Sequence, residues 1–217
     1  MALPWILATR NAGKLRELRA LFATSGIGAI DLREAGVEEE VAREASVEAF
    51  DTFEENALAK VRYFSSRLPG RILIADDSGL TVDALGGAPG VRSKRWSGRT
   101  DLSGRSLDAA NNRHLLSALE HIPGRTARFV CAAAWSDGRS EFVTRGEVEG
   151  RVVDVPRGEH GFGYDPLVFV NDIGKTLAEA TLAEKGLVSH RGRAFTRLLA
   201  LLRDRGLADA SWGGRAG

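Results

Sequence analysis

The chain has 217 residues, 43% of them apolar, with 30 basic and 29 acidic side chains and a formal net charge of +1. That length and apolar share suffice for a sizeable core, and the charge balance argues against a nucleic-acid coat or a polybasic membrane anchor. The single cysteine, Cys131, excludes an intramolecular disulfide framework and any metal site of several thiolates.

In chain order, Trp5-Ile6-Leu7-Ala8 is a short apolar run that stops at a polar turn, and Leu15, Leu18, Leu21 and Phe22 then recur at helical spacing. A second helix is expected over residues 53–64, with Phe53, Ala57, Val61 and Phe64 on one stripe. Residues 71–75 read as a buried strand that ends at Asp76-Asp77-Ser78-Gly79, a strand-to-loop exit. Residues 86–105 read as a long loop, and residues 106–119 as a helix stopped by Pro123-Gly124. Strands over 127–135 and 141–148 flank the hairpin pair Asp137-Gly138. Further strands are expected over 152–155 and 167–170, and a last helix over 189–203. Mixed strands and helices without strict alternation predict an α/β fold with a mixed sheet, one domain over 1–205 and a flexible tail over 206–217. Residues 1–7 lack the basic region of a signal peptide, and no apolar run is long enough to span a bilayer, so a soluble, cytoplasmic protein without membrane or nucleic-acid partners is expected.

Four constellations carry possible chemistry. Thr9-Arg10-Asn11-Ala12-Gly13-Lys14 lies between a strand and a helix, where free N–H groups, the helix dipole, a close-approach glycine and a lysine suit a phosphate chain. It is not a Walker A loop, and it equally fits an ordinary helix cap. Asp76-Asp77 places adjacent carboxylates at a strand terminus; such hard oxygens suit Mg²⁺, and one beside a metal can deprotonate water. An Asx-type turn is the plainer alternative. In Gly161-Phe162-Gly163-Tyr164-Asp165-Pro166 the glycines free the backbone, Phe162 can stack on a base, and Asp165 can accept from a ring N–H; a glycine-rich turn with core aromatics fits as well. Lys185, His190 and Arg191 are donors that would favour a 6-keto purine over a 6-amino one, or else they decorate a helix capped by Ser189.

In order and spacing these segments resemble the inosine triphosphate pyrophosphatase (Ham1-like) family. The matching stretches are residues 7–14, Thr52-Phe53-Glu54-Glu55-Asn56-Ala57, 75–80, Leu85-Gly86-Gly87-Ala88-Pro89-Gly90, 161–166 and Ser189-His190-Arg191-Gly192, together covering about residues 5–202. The resemblance implies a long mixed sheet flanked by helices, of the ITPase/Maf type, with two lobes around a nucleotide cleft. It implies hydrolysis of ITP, dITP and XTP to monophosphate and pyrophosphate, a Mg²⁺ requirement and a homodimer. Carried over to this sequence, Asp77 is metal ligand and proton acceptor, and Thr9, Arg10, Asn11, Ala12, Gly13 and Lys14 hold the triphosphate. Ser78, Phe162, Gly163, Tyr164, Asp165, Lys185, His190 and Arg191 contact the nucleotide, largely at the base end. The family's second acidic ligand is usually followed by Thr-Gly; here the segment is Glu48-Ala49-Phe50-Asp51, so Glu48 is the positional match and Glu44 the alternative. Two rival readings are a related pyrophosphatase for other modified nucleotides, and a nucleotide- or nucleic-acid-binding module using the basic stretch 92–113 with Trp96 as stacking platform.

Overall fold

The computed structural model describes residues 3–39 and 41–208. Among them are seven strands: β1 (Trp5–Leu7), β2 (Ala29–Asp31), β3 (Leu73–Val82), β4 (Thr126–Ser136), β5 (Glu141–Val152), β6 (Val168–Val170) and β7 (Lys175–Thr176). The helices are α1 (Ala12–Thr24), α2 (Val41–Val47), α3 (Phe53–Ser65), α4 (Gly104–Ala118), α5 (Leu182–Val188) and α6 (His190–Asp204). The strands form one sheet in the order β2-β1-β3-β4-β5-β6-β7. β1 runs parallel to β2 and β3, whereas β6 runs antiparallel to β5 and β7, so the sheet is mixed. The α/β class with a mixed sheet is as expected from the sequence.

The chain divides into two compact units: Met1–Asp77 with Ala132–Gly146 and Ala194–Gly217, and Ser78–Cys131 with Glu147–Arg193. The core of the first is an edge-to-face aromatic series in which Trp5 meets Trp135 at 6.5 Å and Phe22 at 5.9 Å, and Phe22 meets Phe195 at 5.9 Å. Ile6, Leu7, Leu18, Leu73, Ile74, Val61 and Leu198 fill in around it. In the second unit Leu80, Leu115, Leu119, Phe129, Val148, Leu167 and Val168 form a continuous apolar cluster.

The structure corrects three expectations and adds short elements. β3 does not end at the aspartates; it continues through Asp76-Asp77-Ser78-Gly79 to Val82. Aspartate, serine and glycine are poor strand formers, but buried cations and an amide compensate the carboxylates here, and tertiary context overrides propensity. Residues 152–155 are not a separate strand, because β5 extends unbroken from the hairpin to Val152. The stretch 86–105 is not bare loop: it contains a 3₁₀ segment, Gly90–Arg95, whose Ser93 hydroxyl accepts from Leu80 N at 2.9 Å. Finally β2, α2, β7 and α5 span only two to seven residues each, too few for a periodic signal. Of the expected tail, residues 209–217 lie outside the described residues. Its first part is held down, with Leu207 N–H donating to Leu202 O at 2.8 Å and Ala208 largely buried.

Candidate active site

In the first unit, the turn after β1 enters α1 through Asn11, whose Oδ1 accepts from Lys14 N at 3.0 Å as an N-cap. The Lys14 ammonium reaches Asp76 Oδ2 at 3.1 Å, and Asp76 is fully buried. Asp76 and Asp77 are successive strand residues, so their side chains leave opposite faces of the sheet. Their partners differ accordingly. Asp76 holds Lys14, while Asp77 Oδ2 accepts from Asn56 Nδ2 at 3.1 Å and its Oδ1 lies 3.5 Å from Lys60 Nζ.

Asn56 and Lys60 are the residues that sequence reasoning missed. Both lie on the buried stripe of α3 with Phe53, Ala57, Val61 and Phe64. The signal was an amide and a lysine at core positions of a helix, where an apolar residue is the default. Lys60 Nζ also binds Glu48 Oε1 at 2.7 Å and donates to the Asp76 carbonyl. Burial works to lower the Lys60 pKa, but the carboxylates of Glu48, Asp77 and Asp76 outweigh it and the pKa is raised. For Asp77 burial dominates and pushes the carboxyl above its ordinary value, against the pull of Lys60 and Lys14.

One ammonium thus touches both Glu48 and Asp77, which brings two hard carboxylates to a shared positive charge. The alternative ligand Glu44 is engaged elsewhere. Arg10 Nε and Nη2 bind its two oxygens at 3.1 and 2.8 Å. The same guanidinium donates to the carbonyls of Val37 at 3.1 Å and Glu38 at 2.9 Å. A guanidinium has five donors, and these bonds engage most of them, so Arg10 ties the turn after β1 to Val37, Glu38 and Glu44. The carboxylate of Glu44 raises the Arg10 pKa further.

Among the described residues no group of three or more His, Cys, Asp or Glu side chains is placed to hold a metal. The Asp77 and Glu48 pair still fits Mg²⁺, which takes one or two carboxylates and completes its shell with water and substrate phosphates.

In the second unit, Gly161 and Gly163 take φ of +78° and +61° on either side of Phe162. A Cβ on Gly161 would strike the Asp165 carboxylate. Asp165 Oδ2 accepts from Phe162 N at 2.8 Å and pairs with Lys185 Nζ at 2.7 Å, both residues being buried. This carboxylate oxygen therefore shapes the turn. Asp108 and Asn112 on α4 fasten its next residue, Gly163, through N–H and C=O at 2.9 and 3.1 Å. Lys185 Nζ and the Arg191 guanidinium lie 5.3 and 5.7 Å from the Phe162 ring centre, within cation–π range. Arg191 Nη2 also donates to Ser78 Oγ at 2.8 Å. The His190 ring, 6% exposed, stacks on Phe129 at 4.9 Å with 14° between planes.

Tyr164 stands apart from these. It is buried in the second unit's core, its hydroxyl donates to Ser93 O at 2.8 Å, and burial raises its pKa. Its place is beneath the turn, not on a ligand surface. Trp96 packs against the same core and meets His114 edge-on at 5.4 Å, which leaves it poorly suited as a stacking platform.

Residues 5–201 match the sequence profile of the Ham1 family. The chain is 48% identical over 202 residues to the dITP/XTP pyrophosphatase of Frankia alni, covering 92% of this chain and 96% of that protein. Among solved structures it is similar to a HAM1 protein from Coxiella burnetii (TM-score 0.77, 35% identity, 93% and 99% of the two chains). It is also similar to a nucleoside-triphosphatase, dITP/XTP pyrophosphatase, from Mycobacterium abscessus (TM-score 0.67, 42% identity, 91% and 99%).

Proposed function

The chain belongs to the Ham1 family, and from that premise we propose that it is a Mg²⁺-dependent pyrophosphatase that hydrolyses ITP, dITP and XTP to the monophosphate and pyrophosphate. The observation that carries the reading is the Asp77 centre: a buried carboxylate with a raised pKa, sharing the Lys60 ammonium with Glu48.

Water attacks the α-phosphorus in line; a new P–O bond forms as the bond to the bridging oxygen breaks, and pyrophosphate leaves. Asp77 takes the water's proton. Asp77 and Glu48 would hold Mg²⁺, which when bound would supply positive charge to the phosphate oxygens. Lys14 and the N-terminal N–H groups of α1 bind the phosphates, and Asp76 sets the position of the Lys14 ammonium.

By the resemblance, the residues at the base end are Phe162, Lys185, His190 and Arg191. Phe162 offers a stacking face, and Lys185, His190 and Arg191 are donors, which complement the 6-keto oxygen of hypoxanthine or xanthine. A 6-amino group is itself a donor and leaves such a site unpaired. The resemblance also supports a cytoplasmic homodimer, and light scattering should give twice 23.4 kDa. None of the described helices is long and apolar enough to cross a membrane.

The decisive measurement is pyrophosphate release from ITP against ATP and dUTP, with and without Mg²⁺. Release from ITP as IMP and pyrophosphate, dependent on Mg²⁺ and at least about tenfold above ATP, is expected. IDP and phosphate as products would refute the reaction, and a preference for dUTP would refute the substrate class.

A further inference from the structure

Asn56 is 1% exposed, and its amide is engaged on both sides. Nδ2 donates to Asp77 Oδ2 at 3.1 Å and to Phe50 O at 3.1 Å, and Oδ1 accepts from Phe50 N at 3.0 Å. One rigid planar group therefore grips the backbone of residue 50 at both its N–H and its C=O, and grips the Asp77 carboxylate as well.

The gripped segment runs into the N-cap of α3, where Thr52 Oγ1 accepts from Glu55 N at 3.2 Å. Ala49, Phe50, Asp51 and Thr52 are all exposed, and the Phe50 ring, 48% exposed, supplies no buried apolar anchor. Glu48 lies two residues before that backbone. Two ties from adjacent turns of α3 bear on the separation of the Glu48 and Asp77 carboxylates: the flexible ammonium of Lys60 and the planar amide of Asn56. The lysine supplies charge, but its four-carbon stem lets the distance vary. The amide supplies fixed geometry without adding charge.

We propose that Asn56 is a positioning residue that sets the spacing of the Glu48 and Asp77 carboxylates and thereby the affinity of the pair for a divalent cation. The inference rests on the reading of that pair as the cation site. Groups that orient metal ligands without touching the metal are worth about 10–100-fold in affinity.

The test compares wild type with Asn56→Ala and with Asn56→Leu, which keeps the bulk but offers neither donor nor acceptor. Three quantities are read: the Mg²⁺ concentration for half-maximal pyrophosphate release with the KM for ITP at saturating Mg²⁺, Mn²⁺ binding to the nucleotide-free protein by calorimetry, and hydrogen exchange at the Phe50 amide. Expected are a rise of about tenfold or more in both cation constants, a KM within about twofold of wild type, and faster exchange at Phe50 but not in β1. Folded variants with lower melting temperature but unchanged cation constants would overturn the proposal. If neither variant folds, Asn56→Ser must show the same split between cation constant and KM, and an unchanged cation constant there overturns it equally. A wild type that binds Mn²⁺ but releases no pyrophosphate from ITP would sink the enzymatic reading and leave the role of Asn56 standing on the binding and exchange data.

Discussion

At the scale of single residues, burial separates the jobs of Asp76 and Asp77. Asp77 has a pKa raised above the ordinary aspartate value, chiefly by desolvation. Its ionised form is therefore less favourable in the folded than in the unfolded chain, and above its folded pKa it detracts from stability. Asp77→Asn should cut pyrophosphate release by about 10²–10⁴-fold, while the melting temperature, measured in EDTA at neutral pH, stays level or rises. A melting temperature that falls steeply would mean that Asp77 is chiefly structural. Lys60→Met makes the opposite case. It strips one buried cation from Glu48, Asp77 and the Asp76 carbonyl at once, and breaking such a buried pairing costs about 3–5 kcal/mol, which urea denaturation would register.

The elements show where sequence reasoning stops. α1, α3, α4 and α6 were legible because each carries an apolar stripe over thirteen or more residues. α2 and α5 were not, at seven residues each, and α5 is held by a capping box of Thr181 and Glu184 rather than by a stripe. Glu184 accepts from Lys175 and from Thr181, which holds its pKa at about 2. A lowered pKa contributes stability that is present above the unfolded-state value near 4.5 and is lost as pH falls toward about 2. Glu184→Gln should flatten that part of the acid-unfolding curve and lower neutral-pH stability by the same amount, a small one because the pair is exposed.

The resemblance gives Arg10 to the phosphates; that its donors go to Glu44, Val37 and Glu38 is invisible in the sequence, since those partners lie 27 to 34 residues away. Arg10→Ala and Glu44→Ala should each loosen the 37–47 segment in hydrogen exchange. Together they should add less than the sum, with a coupling of about 0.5–3 kcal/mol. An Arg10→Ala variant that raises the KM for ITP while Glu44→Ala leaves it unchanged would restore Arg10 to the phosphates.

Across the whole molecule, the fold class and the motif positions were legible because glycines, caps and apolar runs occur in a fixed order along the chain. The course of β3 was not, because Asp-Asp-Ser-Gly looks like an ending, and only the cations and the amide that meet the carboxylates make it a strand interior. Substrate binding should be visible as global stabilisation. A non-hydrolysable ITP analogue with Mg²⁺ at 100 times its dissociation constant adds about 2.7 kcal/mol. The same analogue without Mg²⁺ should give a smaller shift in melting temperature.

The uninterrupted course of β3 has a consequence for how this gene can vary. Side chains along a strand follow parity, so inserting or deleting one residue within 73–77 would exchange the directions of the two aspartates: the one that steadies Lys14 would be presented to Asn56 and Lys60, and the other to Lys14. Length changes of odd number are therefore barred inside the strand however conservative their chemistry, whereas the exposed turn at 69–70 just before it can absorb them. The catalytic assignment of Asp77 is thus a matter of phase along the strand as much as of residue type.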